Sequence, residues 1–149
     1  MRAVVQRVSE GGVDISAQDY SVKIGRGMVI LLGIKTGDGE DDVNFVADKC
    51  CGLRIFEDSN EKMNLSLNDI DGEVLIISQF TLYGDARKGN RPSFIGAARP
   101  ETAVPLYEKF IARVKANLGE SKVKTGVFGA MMSVKIFNDG PVTIIVESK

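Results

Sequence analysis

Apolar and polar residues alternate over several short stretches of the chain, a pattern typical of β-strands with one buried face. It predicts strands over residues 2–8 and 11–17, and the stretch "SVKIG" continues the alternation. Residues 27–34, "GMVILLGI", are continuously apolar, which indicates a strand buried on both faces. The strongest strand pattern covers residues 73–84, "EVLIISQFTLYG", where an apolar run ends in polar residues.

Two segments show helical spacing instead. Apolar residues recur at intervals of three and four over about 41–53, after the acidic turn "KTGDGEDD". A second amphipathic helix starts near Glu101, with Pro105 in its first turn, where proline is tolerated. The order of strands, helix, strand, helix and strands predicts one compact α/β domain over residues 1–149, with a mixed, mostly antiparallel sheet and the helices packed on one side.

Composition narrows the possible functions. A chain of 149 residues, 44% hydrophobic and 26% charged, fits a folded domain with its own core. A net charge of −1 argues against a protein that coats long stretches of nucleic acid, but allows a small contact with an RNA end. No apolar run approaches the roughly 20 residues of a membrane span, and the N-terminus lacks the apolar core of a signal peptide. We therefore expect a cytoplasmic protein with no membrane partner.

Cysteine and histidine usage limits the chemistry. The only cysteines, Cys50 and Cys51, are adjacent within a helical pattern. Two thiols alone cannot complete a structural zinc site, so we predict reduced and partly buried side chains. The chain has no histidine. This removes the commonest general base, the usual metal ligand and every Ser-His-Asp or Cys-His arrangement.

Three short stretches carry features that point to a site. "SQFTLYGD" (78–85) ends a buried strand with three polar side chains, which need hydrogen-bond partners unless the strand end is solvated. "KGNRPSF" (88–94) is basic, and on charge alone an ordinary exposed loop is the favoured interpretation. "NDGPVT" places Pro141 directly after a turn signal, where a hairpin with an edge-strand proline is the simpler interpretation.

Together with "TGVFGAMMSV", these stretches resemble the signature blocks of the D-aminoacyl-tRNA deacylase family, formerly called D-tyrosyl-tRNA deacylases. The likeness includes "MRAVVQRV", "LRIFEDSNEKMNLS" and "AARPETAVPLYEKF", and it runs essentially end to end in unchanged order. Two departures lie outside the signature blocks: Gly11-Gly12 where the family more often has an alanine, and Cys50-Cys51 where aliphatic residues are usual. They affect local packing and leave the signature intact.

The resemblance implies a homodimeric enzyme of three layers, α/β/β, that works without metal or organic cofactor. Such enzymes hydrolyse the ester that joins a D-amino acid to the 3′-terminal adenosine of tRNA, and they also remove glycine mischarged onto tRNA. They thereby edit and proofread aminoacyl-tRNA. By the same resemblance, Gly140 and Pro141 form a Gly-cisPro motif that enters the site of the partner subunit and excludes L-amino acids, while Arg7 holds that loop through its carbonyl oxygens.

The resemblance also implies a catalytic block formed by Ser78, Gln79, Phe80 and Thr81. We expect the backbone N–H groups of Phe80 and Thr81 to stabilise the oxyanion. The ribose 2′-hydroxyl of the tRNA is expected to assist the reaction, although Thr81 stays open as a nucleophile. The remaining expected tRNA contacts are Phe128 and Met132 for the adenosine, and Arg87, Lys88 and Arg91 for phosphates near the CCA end.

Two other functions stay open. A hydrolase of small esters or amides would attack with Thr81 or Ser78 and would need no RNA. A nucleic-acid-binding module without catalysis would bind RNA or DNA in a salt-sensitive way. The near-neutral charge and the intact signature blocks weaken the binding module.

Overall fold

Eight strands and two α-helices form the structure, a computed structural model that describes residues 1–149. Three further single-turn 3-10 helices connect them. Neither α-helix is long and apolar enough to cross a membrane. The elements in chain order are β1 (Arg2–Ile15), β2 (Tyr20–Ile24), β3 (Gly27–Gly33), α1 (Glu40–Gly52), β4 (Phe56–Glu57), β5 (Met63–Leu65), β6 (Glu73–Ser78), α2 (Pro100–Leu118), β7 (Val123–Thr125) and β8 (Ser133–Glu147).

Strand β1 organises the main sheet because it has partners on both edges. Its first half pairs antiparallel with β3 and its second half with β2, while β8 runs antiparallel along the other edge. The prediction of two separate strands at 2–8 and 11–17 was wrong. Ser9 and Glu10 are exposed and interrupt the alternation, but Glu10 still pairs with Phe137 of β8, so the strand continues.

The other half of the sheet is parallel. Strands β3, β6 and β7 are neighbours in the order β2-β1-β3-β6-β7, and both pairings among them are parallel. The interpretation of "GMVILLGI" as a strand buried on both faces is confirmed, since six of the seven residues of β3 are buried. Because parallel strands end at one edge of a sheet, the residues that follow β3, β6 and β7 meet there.

The sheet is covered on both faces, and this gives three layers. Alternate residues of β3 point in opposite directions: Met28 and Ile30 pack in a core with α1 and α2, and Val29 packs in a second core with residues of β1 and β2. At Gly11 in β1 an added Cβ would lie 2.9 Å from a methyl group of Val29, so the bent second half of β1 lies directly over β3. The predicted α/β class with helices on one side is confirmed.

Phe110 of α2 is fully buried in the core between the helices and the sheet, whereas Phe45 on α1 is 44% exposed. We expect Phe110→Ala to lower the free energy of unfolding by about 3–5 kcal/mol, because it removes buried apolar area and leaves a cavity. The matched change Phe45→Ala should cost less than about 1 kcal/mol. Urea unfolding of both variants measures this, and equal losses would contradict the described packing.

Candidate active site

A cavity opens at the edge where the parallel strands end. Its volume is about 370 Å³, within the range of small-molecule sites. The lining is mostly apolar and contains no charged side chain. It comes from the ends of β3 and β6, the start of α2 and the segment between β7 and β8. The cavity thereby brings together five residues that the sequence analysis named in two separate groups: Ser78, Gln79, Phe80, Phe128 and Met132.

Strand β6 ends earlier than predicted, at Ser78 instead of residue 84. The Gln79 N–H still donates to the Leu32 carbonyl at 2.8 Å, and this is the last bond to β3. The chain then turns into a 3-10 helix over Phe80–Tyr83, which begins with a bond from the Leu82 N–H to the Gln79 carbonyl. Tertiary context thus ends the strand within a stretch whose residue types favour continuation.

The first backbone N–H groups of this 3-10 helix, those of Phe80 and Thr81, have no partner. They lack an intrahelical acceptor because of their position, and neither donates to another backbone or side-chain group. The Thr81 hydroxyl accepts a hydrogen bond from the side-chain amide of Gln79, its only hydrogen-bond partner. The site therefore presents two free N–H donors beside a hydroxyl with no base in contact.

The opposite wall of the cavity is held by contacts beneath it. The ring of Phe128 packs against Tyr107 with centroids 5.7 Å apart, and the Tyr107 hydroxyl donates to the Ile76 carbonyl at 3.0 Å. Burial raises the pKa of Tyr107, so this donor keeps its proton. A Cβ at Gly126 would lie 2.5 Å from the sulfur of Met132, so glycine is needed for Met132 to approach this closely. Phe128 and Met132, the residues predicted to contact the adenosine, thus both line this wall of the cavity.

Strand β8 leaves the ladder with β1 over residues 139–142. Gln6 pairs with Thr143 and Val8 pairs with Asn138, so four residues of β8 face one residue of β1. The excursion contains the Gly140–Pro141 bond, which is cis, and both residues are exposed. The hairpin interpretation of this stretch is wrong, because β8 pairs with β1 in the same antiparallel direction on both sides of it.

Two side chains take over the hydrogen bonds that the ladder loses here. Arg7, only 6% exposed, donates from Nε to the Asp139 carbonyl and from a terminal nitrogen to the Ile55 carbonyl, both at 2.8 Å. Neither acceptor belongs to the Gly-Pro pair itself. Asn138 accepts from the Val142 N–H at 2.8 Å and donates to its carbonyl at 3.3 Å. The sequence analysis gave Asn138 no role, although asparagine side chains in turns often hydrogen-bond to nearby backbone groups.

The basic loop forms a closed turn. Asp85 and Ser93 exchange two backbone hydrogen bonds of 2.8 Å, which close the segment between them. Within it Arg87 contacts the Asp85 carboxylate at 2.9 and 2.7 Å, and this ion pair lowers the pKa of Asp85 to about 2. Lys88 and Arg91 are exposed and have no carboxylate partner. They therefore carry the net positive charge of the loop.

Some predicted residues lie outside the cavity lining of the single chain. They are Arg7, Thr81, Arg87, Lys88, Arg91, Gly140 and Pro141. Of these, Thr81 directly follows Phe80, which lines the cavity. Cys50 and Cys51 are free, and both are more fully buried in α1 than the predicted partial burial. Burial raises the pKa of Cys51 to about 11. No group of three or more acidic or cysteine side chains is placed to hold a metal ion.

Comparison with known sequences finds similarity along the whole chain. Residues 4–147 match the model of the D-Tyr-tRNA(Tyr) deacylase family. The chain is 51% identical to a D-aminoacyl-tRNA deacylase of Flavobacterium psychrophilum, across 100% of this chain and 98% of that protein. It is 55% identical, with the same coverage, to a D-aminoacyl-tRNA deacylase of Koribacter versatilis.

Two solved structures are similar in fold. A protein described as the c-Myc DNA unwinding element binding protein has a TM-score of 0.93 at 40% identity, covering 100% of this chain and 99% of that chain. A probable eukaryotic D-amino acid tRNA deacylase has a TM-score of 0.82 at 21% identity, covering 99% and 98% of the two chains. The second likeness shows a shared fold.

The contacts of Arg7 make its replacement informative. Arg7→Met keeps a side chain with a similar apolar stem but removes the guanidinium group. The carbonyls of Asp139 and Ile55 then lose their hydrogen-bond donor. We expect a loss of about 1–3 kcal/mol in the free energy of unfolding and faster hydrogen exchange at the Val142 amide. The control Arg54→Met removes an exposed arginine with one carbonyl contact and should cost less than about 1 kcal/mol. Unchanged stability and exchange in Arg7→Met would disprove its holding role.

Proposed function

The chain belongs to the D-aminoacyl-tRNA deacylase family, and we propose that it hydrolyses the ester between a D-amino acid and the 3′-terminal adenosine of tRNA. Glycine mischarged onto tRNA is a second proposed substrate. The observation that carries the proposal is the pair of unpartnered N–H groups of Phe80 and Thr81 beside a cavity of suitable size. The products are free tRNA and free amino acid, so the reaction edits aminoacyl-tRNA.

The two N–H groups supply the main electrostatic contribution. Attack on an ester moves negative charge onto the carbonyl oxygen, and donors already aimed at that oxygen lower the barrier without reorganising. One such donor typically contributes about a hundred- to a thousand-fold in rate. Ser78 and Gln79 form the neighbouring wall, and the amide of Gln79 orients the Thr81 hydroxyl.

Thr81 is poorly suited to act as the nucleophile. Its hydroxyl receives a hydrogen bond from Gln79, and an amide N–H cannot take the proton that an attacking hydroxyl must lose. We therefore assign the assisting hydroxyl to the substrate, namely the ribose 2′-hydroxyl next to the ester. The protein then contributes chiefly by holding the ester near an attacking water.

Adenosine recognition falls to the apolar wall. Phe128 offers an aromatic surface and Met132 a polarisable sulfur, and both are suited to contact with a base. Lys88 and Arg91 are the proposed phosphate contacts near the CCA end. Arg87 is also a candidate, but its charge is already balanced by Asp85, so we expect its contribution to be smaller.

The chirality filter is the proposed role of Gly140 and Pro141, with Arg7 as their support. In a single chain this pair lies outside the cavity lining and on the exposed edge strand. A homodimer in which one subunit presents the pair to the site of the other would complete the site. A wall of this kind excludes an L-side chain and does not need to recognise the D-side chain, so glycine would pass.

These residues all belong to one α/β unit, and we propose that residues 1–149 act as a single deacylase domain. The proposed substrate is charged tRNA, so the expected location is the cytoplasm. No step of the proposed reaction calls on a metal ion or an organic cofactor.

Parallel deacylation assays of D-tyrosyl-tRNA and L-tyrosyl-tRNA test the proposal, and they are run in EDTA. We expect rapid loss of the D-ester alone. Loss of both esters would leave a deacylase but contradict the filter. Equal activity on free tyrosine esters would favour a small-ester hydrolase. Tight, salt-sensitive binding of RNA or DNA without turnover would favour a binding module, the role that the description of the 40%-identical neighbour names for that protein.

The role of Thr81 has its own test. We expect Thr81→Ala to keep its rate within about tenfold, whereas loss of a true nucleophile in a hydrolase costs about a million-fold. A D-tyrosyl-tRNA that ends in 2′-deoxyadenosine should be hydrolysed far more slowly than the normal substrate by the unmodified protein. Near-complete loss in Thr81→Ala, together with unchanged hydrolysis of the deoxy substrate, would assign the nucleophile to the protein.

A further inference from the structure

A second, larger groove lies next to the cavity and has no role in the function proposed above. Its volume is about 900 Å³. The segment that carries Phe94, Ile95 and Arg99 forms its outer side. The groove is continuous with the cavity because both are lined by Phe80, Ala98, Phe128 and Gly129. A ligand that extends from the adenosine site can therefore pass directly into the groove.

An exposed pair of aromatic rings lies where the two spaces meet. The rings of Phe80 and Phe94 pack edge to face with centroids 5.1 Å apart, yet 56% and 38% of these residues remain exposed. Ile95 beside them is 89% exposed. A Cβ at Gly84 would lie 2.9 Å from the Phe94 ring, so glycine is needed to seat this ring. A cluster of exposed apolar side chains of this kind is typical of a surface that binds a ligand or another macromolecule.

The groove is framed by backbone hydrogen bonds and so is formed before any ligand binds. The Thr36 N–H donates to the Gly96 carbonyl at 3.0 Å, and the Ala98 N–H donates to the Ile34 carbonyl at 2.9 Å. These bonds join the segment after β3 to the segment that carries Phe94. A groove whose walls are already fixed by hydrogen bonds loses less conformational freedom on ligand binding than a groove that must first become ordered.

The charges around the groove suit a phosphate. No acidic side chain lines it, and Arg99, which does, is exposed without a carboxylate partner. Lys88 and Arg91 lie on the closed loop that ends immediately before Phe94, and they are also unpaired. The groove thus combines an apolar surface, an exposed aromatic ring and cationic side chains along its edge. Proteins that bind single-stranded nucleic acid use this combination.

We propose, resting on the deacylase function above, that this groove holds the nucleotide that precedes the terminal adenosine of the substrate tRNA. Its base stacks against the Phe94 ring, and its phosphate contacts Arg99. The continuity of the groove with the adenosine cavity favours RNA over a second copy of this chain. The positive rim also favours RNA, because RNA carries one negative charge per nucleotide whereas a second copy of this chain carries a net charge of only −1.

A substrate that lacks this nucleotide separates the groove from the catalytic site. D-Tyrosine esterified to adenosine alone reaches only the cavity, whereas D-tyrosyl-tRNA reaches both. We expect Phe94→Ala to lower kcat/KM for the tRNA by about 5- to 100-fold through KM, and to leave the adenosine ester within about twofold. Phe94→Tyr should restore the tRNA activity. The control Phe45→Ala removes another exposed phenylalanine that lines neither space, and it should change nothing.

Salt dependence tests the phosphate contact. Arg99→Gln should reduce the slope of log kcat/KM against log salt concentration by about 1 for the tRNA and leave the adenosine ester unaffected. The control Lys23→Gln removes an exposed, unpaired lysine on β2 and should leave the slope unchanged.

Three results would overturn the proposal. Equal losses on both substrates would mean that Phe94 only shapes the cavity, and full tRNA activity in Phe94→Ala and Arg99→Gln would mean that the nucleotide lies elsewhere. A changed molecular mass in solution for either variant would assign the groove to a second copy of this chain. If Phe94→Ala does not fold, Phe94→Leu gives the same comparison, because it keeps apolar volume without a flat ring. Failure of the unmodified protein on both substrates would instead refute the deacylase function itself.

Discussion

The pairing of β1 on both edges is the constraint on which the structure depends. Because its halves have different partners, the strand must bend, and its second half then covers the face of β3 that the helices leave open. The same strand aligns β8 along nearly its whole length. The four-residue excursion of β8 lies opposite Arg7, where the ladder is interrupted, so the chain needs a buried arginine there.

Backbone groups leave regular pairing at two places, and the contrast between them is informative. At the β8 excursion, Asp139 and Val142 receive side-chain partners from Arg7 and Asn138. At the end of β6, the N–H groups of Phe80 and Thr81 receive none. Both residues are exposed, so these two N–H groups are open to water or to a bound ligand. The first place therefore holds the shape of the chain, whereas the second leaves donors available to a ligand.

Local pattern was sufficient where neighbouring residues decide the structure. The apolar run of β3 and the amphipathic spacing of α2 each reflect which side chains are buried, and both elements form as predicted. Pro105 was wrongly predicted in the first turn of α2: the helix begins at Pro100, so Pro105 lies in its second turn. The continuity of β1 through Ser9 and Glu10 depends on pairing with β8, more than 120 residues away, and no local pattern reports it. The cavity likewise depends on the parallel order of β3, β6 and β7. Family resemblance named residues on its walls; only the fold shows that they meet.

A catalytic site without histidine must accelerate the reaction mainly by positioning the substrate. The cavity contains no charged side chain, and the Thr81 hydroxyl contacts no base, so the protein offers little acid-base chemistry of its own. Binding energy from parts of a substrate remote from the reacting bond can then be used to hold the ester against the free N–H groups. The aromatic and cationic groove lies where such remote contacts would form, directly continuous with the cavity. On this argument RNA binding beyond the adenosine is part of catalysis, because it fixes the position of an ester that the protein does not otherwise activate.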